Sequence, residues 1–176
     1  MISKTSPFLV VLVAVSTFFF ACGEFGAFTF SEESDVITVD GNNTPLADLL
    51  PTRIPLEVDL EQELEEQDAS GARSVHLNDL YFEMTGDTDE PNFDFMDDIT
   101  ITVASRDSDS DLPERELAWS DPVPEGEDRF HLDIDEGLDL KPYAEEGLRL
   151  RTNASGSAPD DDAKFTVTAE FRVDVM

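Results

Sequence analysis

Apolar residues recur at every second position along most of this chain. The clearest run is 164–175, KFTVTAEFRVDV, where Phe165, Val167, Ala169, Phe171, Val173 and Val175 alternate with Thr166, Thr168, Glu170, Arg172 and Asp174. Period-two patterning predicts a strand with one buried and one wet face. A strand of that length needs a second sheet to cover it. Shorter runs of the same kind fall at 36–39 (VITV), 54–60, 75–84, 99–103 (ITITV), 115–119 (RELAW), 130–134 (FHLDI) and 148–152 (LRLRT). Helix signals are confined to two places. Asp59 is placed to cap a turn or two of helix over EQELEEQD, with glutamates in its first turn, and GLDLKPYAEEG holds one short turn between glycines. Neither a long amphipathic helix nor a βαβ rhythm is present. The expected fold is therefore all-β, an antiparallel sandwich of about seven strands with one or two helical turns. Its architecture is immunoglobulin-like without the paired cysteines of antibody domains, with a jelly roll as the alternative.

The N-terminal pattern is different. Residues 7–21, PFLVVLVAVSTFFFA, carry no charge, and Lys4 is the only charge before them. A bilayer span needs about 20 apolar residues, so the run is short for one and fits the charged, apolar and small-residue zones of a secretory signal. It ends at Ala21, and Cys22, the sole cysteine, follows. Phe19-Phe20-Ala21-Cys22 resembles the lipobox of bacterial lipoproteins. That resemblance implies cleavage between Ala21 and Cys22 and acylation of the cysteine. The alternative reading is an incidental thiol beside an ordinary cleavage site. Two or more acyl chains anchor stably where one does not. Gly23 stands where the best-known inner-membrane retention signal has aspartate, which by the same resemblance favours the outer membrane. The expected organisation is a signal peptide at 1–21, a lipidated tether at 22–34 and a single β-domain at 35–176. Phe25, Phe28 and Phe30 interrupt the tether, either as a membrane-proximal contact or as a short first strand.

Charge changes the picture again. Asp and Glu number 41 against 11 Lys and Arg, a formal net charge of −30, and the single base of residues 1–21 removes none of that excess. Such self-repulsion opposes compaction and excludes nucleic acid and anionic lipid as partners. Beyond residue 21 the only lysines are Lys141 and Lys164, and the acids are scattered along the chain. In both respects the sequence resembles halophilic proteins, whose surfaces work where the Debye length is about 3 Å, at about 1 M salt.

Candidate chemistry is sparse. In RDSDSDLPERE, Asp107, Asp109 and Asp111 alternate, with Glu114 close behind. Calcium loops use that spacing because oxygens from positions 1, 3 and 5 converge on one ion. The EF-hand form also takes glycine at 6 and glutamate at 12, where this chain has Leu112 and Ala118, and the competing reading is a hydrated interstrand loop. Further acids gather at Asp87, Asp89, Glu90, Asp94, Asp97 and Asp98, and at Asp160, Asp161 and Asp162. His76 and His131 sit inside expected strands without metal-ligand spacing. Trp119 is either a core or rim aromatic or the ring of a ligand-binding loop. The first function expected is a non-catalytic envelope lipoprotein with no cofactor, membrane-bound through Cys22 and engaging a protein partner. The alternatives are a calcium-binding adhesive module and an envelope hydrolase using a carboxylate pair.

Overall fold

The structure is a computed structural model that describes residues 26–41, 54, 56, 59–67 and 71–175. Ala21, Cys22 and the expected signal peptide lie outside the described residues. Among the described residues nine strands form two antiparallel sheets. In the first, β1 (Ala27–Glu33) and β2 (Ile37–Val39) lie end to end along one edge of β9 (Ala163–Val175). The other edge of β9 pairs with β3 (Ala72–Met84), and β3 pairs in turn with β6 (Arg129–His131). The second sheet runs β7 (Asp133–Ile134), β5 (Arg115–Ser120), β4 (Met96–Ser105), β8 (Leu148–Gly156).

Two facing antiparallel sheets make the expected sandwich.

The alternation in β9 is realised along its length, with one exception: Thr168 on the outer face is also buried. Phe165, Val167, Ala169, Phe171 and Val173 are fully buried. A shared core takes Ile99, Ile101 and Val103 from β4, Leu148 and Leu150 from β8, and an aromatic cluster. In that cluster Phe82 stacks on Phe130 at 5.3 Å, and Phe93 meets Phe130 edge-on at 4.9 Å and Phe165 at 5.5 Å. Such pairs add to plain burial because ring edges and faces carry opposite partial charge. Gly156 is required where β8 ends, since a Cβ there would run into the Phe95 carbonyl.

Ala27–Glu33 is the short first strand, one of the two readings of Phe28 and Phe30, and both rings pack half-buried against the core. Two expectations change. Of the strand expected at 54–60, the described residues Ile54, Leu56, Asp59 and Leu60 are not strand. Ile54 and Leu56 are buried, but Leu56 N–H donates to the Ile54 carbonyl at 2.8 Å, and Leu60 opens helix α1 (Leu60–Glu66). Proline at 55 has no N–H to give a ladder, so the alternation yields burial without pairing. The run at 130–134 becomes two strands in different sheets, β6 and β7, with buried Leu132 between them donating to the Leu80 carbonyl at 2.9 Å.

The Asp59 cap is as expected, its carboxylate accepting Gln62 N–H at 3.0 Å. The second expected turn is α2 (Lys141–Glu145), which buries Tyr143.

Phe171 stacks on Phe30 at 5.2 Å and is sealed from solvent, whereas Arg172 is exposed and pairs only with Asp174. Phe171→Ala is expected to lower stability by about 3–5 kcal/mol and Arg172→Ala by about 0–1 kcal/mol. Chemical denaturation of the two variants checks the difference, and equal losses would show that β9 does not have one dry face.

Candidate functional site

The loops collect at two ends of the sandwich. At one end the 85–95 connection meets 157–164. The Asp162 carbonyl accepts Asp89 and Glu90 N–H, each at 3.3 Å, and the Asp162 carboxylate accepts Gly41 N–H at 2.9 Å. Asp94 accepts Gly126 N–H at 2.6 Å, and Lys164 reaches the Asp87 carboxylate at 3.2 Å. Two acidic clusters separated in sequence thus share one end and one lysine. At the other end, Val175 N–H bonds to Gly26, Leu140 N–H donates to the Val75 carbonyl at 2.7 Å, and the Tyr143 hydroxyl donates to the Pro113 carbonyl at 2.7 Å.

The Asp107 run occupies that second end, between β4 and β5. Its carboxylates do not converge. Asp107 accepts Asp109 N–H at 2.9 Å, and Ser105 and Ser110 hydroxyls accept Asp107 and Leu112 N–H, so the loop is folded on its own turns. Glu114 turns away onto the outer face of the second sheet, accepting from Thr102 Oγ1 at 2.8 Å and Arg151 Nη1 at 2.6 Å. Asp109 and Asp111 are exposed. Among the described residues no three His, Cys, Asp or Glu side chains come together in a way that could hold a metal ion.

Both histidines lie on the outer face of the first sheet. His131 Nδ1 is 2.9 Å from the Asp79 carboxylate, and on its other side the Tyr81 ring stands 5.2 Å away. Arg129 lies over Tyr81 at 4.4 Å and pairs with Glu83 at 2.7 Å. His76 Nδ1 is 3.2 Å from the Leu138 carbonyl. An Asp–His pair polarises a nucleophile only when one lies within hydrogen-bond reach of the imidazole, and here the ring's neighbour is aromatic.

Trp119 takes neither of the places expected for it. It stands on the outer face of the second sheet, half-buried, in a cross-strand row with Asp133, Thr100 and Asn153. Nothing in a local stretch of sequence brings those four together, because each belongs to a different strand.

No known protein-family model matches the chain, and no curated protein resembles it in sequence.

Among the described residues four carboxyls depart from their ordinary range. Burial first, then repulsion from Glu66, pushes Glu32 of β1 and Glu63 of α1 upward, and Glu63 also feels Glu32 and Asp59. Asp174 is pushed up by burial, yet the Ser74 hydroxyl, Arg172 and His76 outweigh it and hold the group low. Asp87 is held low by Thr85 and then by Lys164. A raised carboxyl takes up its proton in the folded chain first, so acidification toward the ordinary carboxylate range stabilises the fold. A lowered one contributes stability above that range and loses it as pH falls through the lowered value. The melting midpoint is expected to climb from pH 7 to about pH 5 and to fall below about pH 4. Glu63→Gln should raise the midpoint at pH 7 and flatten the climb. An unchanged climb in that variant would rule out Glu63 as a source.

Proposed function

We propose that this chain is a non-catalytic lipoprotein of the cell envelope, a structural or protein-binding β-sandwich held at the outer membrane by lipid on Cys22, with an acidic surface adapted to salt. The observation that carries this reading is Ala21-Cys22 at the close of an uncharged run. Its distance from the fold adds support. Cys22 precedes Gly26 by four residues, and a chain reaches at most about 3.5 Å per residue, so lipid on Cys22 would lie within about 14 Å of the end of the sandwich where Gly26 meets Val175. That end would face the bilayer, and the acidic loops around Asp87, Asp94 and Asp162 would face away from it. An interaction with another envelope protein would then fall on the distal loops or the sheet faces.

The salt reading rests on where the charge sits. The described core contains no Asp, Glu, Lys or Arg side chain among its buried members, and the five Lys and Arg ion pairs shown among the described residues use few of the acids. Isolated exposed pairs contribute little, so the uncompensated negatives repel one another through solvent, where added salt acts most strongly.

Two measurements test the proposal. Wild-type protein is expected to partition with membranes and to show an intact mass carrying lipid on Cys22, while Cys22→Ser is expected to lose both lipid and the normal cut; an unmodified Cys22 in the wild type defeats the anchor. The melting midpoint is expected to rise strongly in potassium chloride from low to molar concentration, and calcium chloride at fixed ionic strength should add little. Indifference to potassium chloride defeats salt adaptation. A large calcium effect abolished by Asp109→Asn would promote the calcium-binding module in its place, since a bound ion stabilises the native state by mass action.

A further inference from the structure

We infer that the outer face of the second sheet is a binding platform for an extended neutral glycan, laid along the row Asp133, Trp119, Thr100 and Asn153. The inference goes beyond the envelope reading and does not depend on the anchor.

Pairing across β7, β5, β4 and β8 places these four residues side by side, since Asp133 is opposite Trp119, Trp119 opposite Thr100, and Thr100 opposite Asn153. Directly opposed residues put their side chains on the same face. The flanking residues Ala118, Ser120, Ile99, Ile101, Leu132 and Ala154 are buried, so this row points to solvent. At about 4.8 Å between strands it spans roughly 14 Å, long enough for more than one pyranose ring.

What distinguishes the row is that it is open. Its neighbours are closed on themselves: Thr102 and Arg151 both bond to Glu114 on one side, and Ser155 bonds to Asp98 on the other. None of the four side chains in the row makes a hydrogen bond or ion pair within the described residues, and neither the Thr100 hydroxyl nor Trp119 Nε1 is sealed from water. Trp119 also joins no ring pair and is not part of the core cluster. A half-covered indole flanked by unused donors and acceptors matches the chemistry of a sugar. The apolar face of a pyranose stacks on the ring, and its hydroxyls donate to Asp133 or Asn153 and accept from Thr100, Asn153 and Trp119 Nε1.

Charge selects the class of ligand. A molecule of net charge −30 repels anionic polymers. The row carries one carboxylate; on one side Glu114 and Arg151 neutralise each other, and on the other Asp98 adds a second carboxylate bonded to Ser155. A neutral, hydroxyl-rich chain is therefore complementary where a nucleic acid or an anionic lipid is not. Ligand sites of this kind combine a large apolar contact with a few placed polar groups.

Trp119 is the only tryptophan in the chain, so its fluorescence reports directly on the site. The probes are hexasaccharides of β-1,4-glucose, β-1,3-glucose, β-1,4-mannose, α-1,4-glucose and β-1,4-N-acetylglucosamine, titrated into the wild-type protein. At least one is expected to shift the emission and to bind by calorimetry. For that glycan Trp119→Ala should weaken binding by about tenfold or more. Asn153→Ala should weaken it several-fold, with the melting midpoint of each variant within a few degrees of wild type. Absence of binding by all five at millimolar concentration overturns the inference, and so does binding that survives both substitutions. A shift produced by a lysine-rich peptide and by none of the glycans would assign the face to a cationic partner instead.

Discussion

Everything in this sandwich depends on the insertion of β9 between strands that precede it by more than a hundred residues in the case of β1. One edge of β9 carries β1 and β2, the other carries β3 for almost its whole length, and its inner face supplies six buried residues to the core. Until β9 is in place the first sheet has only the short β3–β6 pair. Phe28 and Phe30 then have no ladder to hold them over the core. Pairings so distant in sequence must overcome a large loop-closure entropy before their contacts stabilise anything. The fold is in that sense decided late in its own assembly, by a strand whose patterning is the least ambiguous in the chain.

That same strand shows why much of the fold was legible in the sequence. Where one face of a strand is buried and the other largely open to solvent, alternation reports the strand, its length and its orientation together, as in β9 and in 99–103 of β4. Alternation does not report a partner. Ile54 and Leu56 are buried by the rule and yet belong to no ladder, and FHLDI alternates smoothly while changing sheets at Leu132. Both departures come from the same physical fact, that burial is set by a side chain's direction and pairing by where the backbone lies. The immunoglobulin-like and jelly-roll connectivities share one pattern of alternation, so only the strand order separates them.

The candidate sites divide along similar lines. Asp107, Asp109 and Asp111 drew attention because spacing within a loop is visible in one dimension, and the structure folds that loop on backbone turns and sends Glu114 to Arg151. Glu114 shows how a nearby ladder, β8, reassigns a residue that sequence proximity had grouped with its neighbours. Trp119 drew attention as the only indole, but its companions Asp133, Thr100 and Asn153 come from three other strands. No window along the chain contains them. The only signal available in advance was the polar character of the residues alternating with ITITV and RELAW, which says that the face is wet and nothing about what shares it.

The passage from β6 to β7 has a mechanical consequence. Because the chain crosses between the sheets at Leu132, with no loop interposed, the sandwich is bound along one flank like the spine of a book. On the opposite flank the outermost strands are β1 and β8, which belong to different sheets and do not pair with each other. Any motion that separated the sheets would therefore be hinged and not uniform: it would open toward Phe28 and Phe30 of β1 and least disturb the aromatic cluster around Phe82, Phe93 and Phe130, close to the spine.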